Sequence, residues 1–268
     1  MNDVLKQEII KQARLELARR DFFEYCQLTA SDFYKEDRLF LKNMCNELQD
    51  FYESENPEDK IMVVNVPPRH GKSRTAGKLV EWVLGNNQNE KIMTGSYNED
   101  LSSSFAKSVR DTIAAEPTKG TLVYNDIFPK TQIKYGEASA KKWALEGSEQ
   151  ANYLATSPTG TATGFGCTLM IIDDVIKNAQ EACNEQTLQK HIDWFNNTML
   201  SRTETGFKLI IIMTRWAEND LAGYILANYD NVRHINYKAV QEDGSMLCED
   251  ILNKEDYDFK TKNMNKDI

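Results

Sequence analysis

What constrains this chain most is a series of short apolar runs, each too brief for a helix and each followed by residues of helical periodicity. The first is Ile61-Met62-Val63-Val64-Asn65-Val66. It is rich in β-branched residues and stopped by Pro67-Pro68, as a parallel strand covered on both faces would be. A helix is expected over residues 72–84. The alternation then recurs as strand 91–97, helix 100–115, strand 169–173, helix 181–200, strand 208–214, helix 219–229 and a last strand 232–237. Strands and helices taken in turn give a parallel sheet with helices on both faces.

The flanking segments read differently. Val4, Leu5, Ile9, Ile10, Ala13 and Leu17 recur at helical spacing up to about Phe23, and Leu39, Leu41, Met44, Leu48 and Phe51 do the same. Residues 1–55 are therefore expected as an N-terminal helical segment and 56–240 as the α/β core. Between Thr118 and Thr168 the pattern breaks into strand candidates at 132–135, 142–145 and 153–156, a β-rich insertion that ends in the loop 160–166. Residues 241–268 are acidic and poor in apolar side chains, which fits a linker or loosely attached tail.

Composition removes several functions. Hydrophobic residues make up 41% and charged residues 27%, the balance of an enzyme with a sizeable core. Every apolar run is far shorter than the roughly 20 residues that cross a bilayer, so no membrane span is expected. The start, Met1-Asn2-Asp3, lacks a secretory layout, and action inside a cell is expected. The five cysteines include no Cys-x-x-Cys pair and the three histidines stand apart from them, so neither zinc nor a disulfide framework is expected. A net charge of −9 speaks against a broad basic face for nucleic acid and leaves room only for local contacts. Lys130, Lys134, Lys141 and Lys142, near Tyr135 and Trp143, are the local candidates, with a solvated face as the plainer reading.

The chemistry sits at the strand ends. Pro67-Pro68-Arg69-His70-Gly71-Lys72-Ser73 joins a buried-type strand to a helix, where backbone N–H groups can surround phosphates. Val66 stands where the full motif has its first glycine, so the strand and helix on either side carry the assignment. Pro68, Arg69, His70, Gly71, Lys72 and Ser73 are the expected nucleotide-binding residues. Lys72 would neutralise the β- and γ-phosphates, the Ser73 hydroxyl would bind Mg²⁺, and Gly71 would let the backbone approach. Arg69 is placed to offset charge that develops on the γ-phosphate. The His70 side chain is not needed by this chemistry.

Leu169-Met170-Ile171-Ile172-Asp173-Asp174 puts two carboxylates at the C-terminal end of a buried strand, where ligands sit in open parallel sheets. Asp173 is the expected Mg²⁺ ligand, and Asp174 would orient or deprotonate the attacking water. The strand expected over 91–97, between the two motifs, suggests the additional-strand type of P-loop NTPase. Its members usually carry a glutamate as the second acid. Leu209-Ile210-Ile211-Ile212-Met213-Thr214 ends at the same edge, with Thr214 placed to sense the γ-phosphate.

These three elements, in this order, resemble the ATPase domain of the large terminase subunit of tailed bacteriophages. The matching residues are Pro67 to Ser73, Ile171 to Asn178, and Thr214-Arg215-Trp216-Ala217-Glu218-Asn219-Asp220-Leu221-Ala222-Gly223. Ser96 to Leu101, Val109-Arg110 and Thr163-Gly164-Phe165-Gly166 support them. The resemblance spans about residues 30 to 240. It implies a motor that uses ATP and Mg²⁺ to drive double-stranded DNA into a procapsid in the cytoplasm of a bacterial host. Asp174, Arg69 and Thr214 would be catalytic, Thr214 as the coupling element. It further implies portal protein, the small terminase subunit and DNA as partners. The chain would form a homo-oligomeric ring on the procapsid, with a monomer as the state in solution.

A ring also implies an arginine acting from a neighbouring subunit, for which Arg110 and Arg202 are candidates. Val175 stands where many relatives have proline. Full-length members carry a C-terminal nuclease domain, whereas Asp243, Glu249, Asp250, Glu255, Asp256 and Asp258 read as solvated acids, so nuclease activity is not expected from this chain. Two alternatives stay open: a prophage remnant or regulatory subunit that binds nucleotide without hydrolysis, and a helicase-like DNA-repair ATPase.

Overall fold

The computed structural model describes residues 3–116, 122–160, 162 and 164–262. Thr118 and Thr163, and the tail residues 263–268, lie outside the described residues. An N-terminal layer comprises α1 (Asp3–Arg20), α2 (Phe22–Thr29) and α3 (Leu39–Glu53). The single helix expected up to Phe23 is two because Asp21 caps α2, its side chain accepting from the Glu24 N–H. Then come β1 (Ile61–Asn65), α4 (Lys72–Asn86), β2 (Ile92–Gly95), α5 (Glu99–Ile113), α6 (Tyr124–Ile127), β3 (Ile133–Ala138), β4 (Lys142–Leu145), β5 (Tyr153–Thr156) and β6 (Cys167–Asp173). The chain continues through α7 (Ala179–Ala182), α8 (Glu185–Trp194), β7 (Thr203–Met213), α9 (Leu221–Asn228), β8 (Arg233–Asn236) and α10 (Lys254–Thr261).

The eight strands make one sheet in the order β3-β4-β5-β2-β6-β7-β1-β8. Six run parallel, from β5 through to β8, while β3 and β4 extend the sheet antiparallel. Of the three strand candidates in the insertion, β5 thus belongs to the parallel set. The strand that separates β1 from β6 is β7, not β2, which lies on the far side of β6. Order in space is decided by where each crossover helix returns the chain.

Alternate residues of the central strands enter two separate cores. Met62, Val64, Leu169, Ile171, Ile210 and Ile212 pack with the first six helices. Ile61, Val63, Met170, Ile172, Leu209, Ile211 and Met213 pack with the layer formed by α7–α9. Burial on both faces is why these strands read as continuous apolar runs rather than alternating ones.

The helix expected over 181–200 is interrupted. The Asn184 side chain accepts from the Thr187 N–H and starts α8 afresh, and the chain leaves α8 through a π turn, Phe195–Met199, and a 3₁₀ turn, Leu200–Arg202. Beyond β8, Arg38 donates to Asp250 at 2.6 Å, Lys35 donates to it at 3.0 Å, and Leu247, Cys248 and Ile251 pack on the first core. Among the described residues no helix is long and apolar enough to cross a membrane.

Candidate nucleotide site

Register brings the site together. Parallel pairing sets Asn65 of β1 beside Met213 of β7, and Ile212 beside Asp173 of β6. One residue further on, Val66, Thr214 and Asp174 leave three adjacent strands at the same edge, which lets groups so distant in sequence touch.

They do touch. Lys72 Nζ donates to Thr214 Oγ1 at 2.8 Å and lies 3.3 Å from Asp174 Oδ2. The Thr214 N–H donates to Asp174 Oδ1 at 2.9 Å, and the Thr214 hydroxyl donates to the Val66 carbonyl at 3.3 Å. Lys72 is only 7% exposed, so its charge is held by this carboxylate and hydroxyl rather than by bulk water. Asp174 adopts a left-handed backbone, φ 41°, a conformation that aspartate tolerates better than most residues and that turns its side chain across the strand ends.

The loop before α4 is also left-handed at Arg69, φ 68°, and at Gly71, φ 88°. At Gly71 a Cβ would fall 2.5 Å from Phe33, so this glycine is required by both conformation and space. Phe33 carries two cations over its ring, with Arg38 5.0 Å and Arg74 4.9 Å from its centroid. A cleft of about 540 Å³ opens over these groups, lined by Pro68, Arg69, Gly71, Lys72, Ser73, Asp174 and Thr214 among others.

His70 does not line it. Its imidazole is fully buried, with Nδ1 2.9 Å from the Pro68 carbonyl and its ring against Phe40, and burial lowers its pKa. Asp173 lies beneath, 2% exposed, with Oδ1 unpartnered among the described residues. Burial, and then the neighbouring Asp174 charge, push its carboxyl up to about 7, while Ser73 and Lys72 pull the other way.

Around Thr214 the backbone is braced by Asp220, itself fully buried. Asp220 accepts from Arg215 Nε at 3.2 Å, the Trp216 N–H at 3.0 Å and the Gly223 N–H at 2.9 Å, and so caps α9. Phe33 and Arg74 are site residues that sequence reasoning missed. Nothing in Asp32-Phe33-Tyr34 marks it as facing a loop almost forty residues away.

Neither candidate for an arginine acting between subunits lines the cleft. The Arg110 guanidinium is committed to Asp111 and to the Ala138 and Ser139 carbonyls, and Arg202 Nε is buried without a partner among the described residues. Of the local basic and aromatic surface, Tyr135 is 97% exposed but Trp143 is buried, stacked on Tyr153 with centroids 4.6 Å apart, and Lys141 pairs with Glu99.

Comparison with solved structures gives the bacteriophage HK97 large terminase at TM-score 0.48 and 17% identity, covering 76% of this chain and 40% of that one. The large terminase of a thermophilic bacteriophage, in complex with ATP-γ-S, aligns at TM-score 0.47 and 12% identity, covering 86% and 49% respectively. The N-terminal domain of the bacteriophage phi29 DNA packaging ATPase aligns at 0.40 and 11%, covering 68% and 93%. The chain thus spans less than half the length of the first two. No curated protein matches it. The family described as "Terminase large subunit, T4likevirus-type, N-terminal" matches residues 63–264, three quarters of the sequence, and the chain belongs to that family.

Proposed function

We propose that this chain is the ATP-hydrolysing part of a viral DNA-packaging motor, coupling Mg²⁺-dependent ATP hydrolysis to movement of double-stranded DNA into a procapsid in a bacterial host cytoplasm. The observation that carries the reading is the contact of Lys72, Asp174 and Thr214 across three strand ends beside a phosphate-type loop. Family membership supplies the packaging context. Portal protein, the small terminase subunit and neighbouring copies in a ring are the partners this reading entails. Residues 1–55, 56–240 and 241–268 are proposed as helical segment, ATPase core and linker.

The donor set fits a hard cation. Among the described residues Asp173 Oδ1 is buried and has no partner, and Ser73 is beside the same carboxylate. Among the described residues no cluster of three or more metal-ligating side chains forms, which suits an ion that takes its remaining ligands from phosphate and water. Ser73 and Asp173 would hold Mg²⁺, which when bound supplies positive charge beside the phosphate oxygens.

Lys72 exchanges Asp174 for the β- and γ-phosphates as nucleotide enters, and Pro68 to Ser73 wrap the chain of phosphates, with backbone N–H donors from Arg69 onward. Asp174, released from the ammonium, orients the attacking water and takes up its proton. Arg69, exposed at the cleft, offsets charge on the γ-phosphate. Thr214 loses Lys72 in the same exchange, and the turn braced by Asp220 passes that change to α9. The test is steady-state ATP hydrolysis, with and without DNA, by wild type, Lys72→Ala and Asp174→Asn. Mg²⁺-dependent turnover that Lys72→Ala abolishes supports the reading; turnover no greater than that of Lys72→Ala removes it.

A further inference from the structure

The Met213–Thr214 peptide is held from both sides. Its N–H goes to Asp174, as above; its carbonyl accepts from Asn65 Nδ2 at 3.2 Å and from the Val66 N–H at 3.3 Å. Asn65 is 2% exposed, at the end of the strand that feeds the phosphate loop. A polar amide so deeply buried costs stability unless both its ends are satisfied. The other end, Oδ1, lies 2.9 Å from His234 Nε2 on the exposed edge strand β8. Because Nδ2 already serves a carbonyl, Oδ1 can only accept, so His234 must present a proton on Nε2. The neutral Nε2–H tautomer and the imidazolium both do so.

This geometry gives the amide one orientation. Rotated by half a turn, Asn65 would set its carbonyl oxygen against that of Met213. We propose that Asn65 is a positioning residue for hydrolysis: it fixes the Met213–Thr214 peptide plane, and His234 fixes Asn65. The inference rests on the ATP-hydrolysis reading of the site. Its consequence is that an edge-strand side chain outside the cleft sets the aim of the Thr214 N–H on Asp174, and the place of the Thr214 hydroxyl oxygen that accepts from Lys72.

The test measures Lys72-dependent ATP hydrolysis, ADP affinity and melting temperature for Asn65→Ala, His234→Ala and His234→Gln in the full chain. Asn65→Ala is expected to lower kcat roughly tenfold or more while ADP affinity stays within about twofold, because the phosphate loop is untouched and only transition-state alignment is lost. His234→Ala lowers kcat by a smaller factor, and His234→Gln, with an N–H donor of similar reach, recovers most of that loss. A role in folding alone would lower ADP affinity and melting temperature together with kcat, and would leave the Gln variant no better than Ala; either result overturns the proposal. Should Asn65→Ala fail to fold, the His234 pair decides, and a wild-type kcat in His234→Ala is fatal. Absence of Lys72-dependent hydrolysis in wild type removes the reading of the site and this role with it. Hydrolysis by wild type with an unaffected Asn65→Ala removes the positioning role alone.

Discussion

Lys72 and Asp174 neutralise each other at the mouth of the cleft, so removing either leaves a poorly solvated charge as well as a missing contact. Asp174→Asn keeps a carbonyl oxygen for the Thr214 N–H but gives up the base. Its kcat is expected to fall by about 10² to 10³ while ADP affinity holds or rises, because Asp174 no longer competes for Lys72, as measured by steady-state hydrolysis and ADP binding. Asp173 gives a test through stability. Its carboxyl has an ordinary value of 3.8 and stands near 7 in the folded chain. Between those values the native state keeps a proton that the unfolded chain has released, so stability of the metal-free protein falls as pH rises through this window. Asp173→Asn should flatten that slope in thermal melts with a chelator present. A wild-type profile that already lacks the slope would contradict the burial argument. That Lys72, Asp174 and Thr214 would meet at one sheet edge was legible beforehand, because each follows an apolar run that reads as a parallel strand. Phe33, Arg74, Asn65 and His234 were not, since each acts through a partner distant in sequence.

At the scale of elements, the turn from Thr214 into α9 depends on a glycine. A Cβ on Gly223 would collide with the Glu218 carbonyl and lie 2.8 Å from Arg215 Nη2, against backbone that Asp220 holds in place. Gly223→Ala should therefore cost about 3 kcal/mol, read by urea unfolding, and reduce hydrolysis along with it. The start of α9 was visible in the sequence to within two residues. The long helix expected over 181–200 was misread because its apolar spacing continues across Asn184, whose side chain bonds the backbone and begins a new helix. β7 starts five residues before the expected strand, because Thr203-Glu204-Thr205-Gly206-Phe207 is polar and only partly covered, so it carries no buried-strand signature.

Across the whole molecule, Asp250 ties the segment after β8 back to the N-terminal layer. Arg38, Cys248 and Lys35 hold its carboxyl well below the usual range. The tie is complete above the ordinary carboxylate range and is lost as pH falls toward that depressed value. Arg38 is buried and also donates to the Phe33 carbonyl, so Arg38→Ala should cost more than the roughly 1 kcal/mol of an exposed pair. It should also speed cleavage within residues 238–252 in limited proteolysis, because it removes the charged tie of that segment to the N-terminal layer. The chain order of apolar runs and strand-end polar residues by itself determined a parallel α/β sheet, the loop that enters α4 and the acidic pair at a strand end, since these depend on local periodicity and on residue chemistry. Only the tertiary structure decided that β7, rather than β2, lies between β1 and β6, that β5 joins the parallel sheet, and that Asn65 and His234 stand behind Thr214. Strand order is fixed by how helices cross over and pack on the two faces, a balance of burial summed over the whole sheet that no single segment encodes.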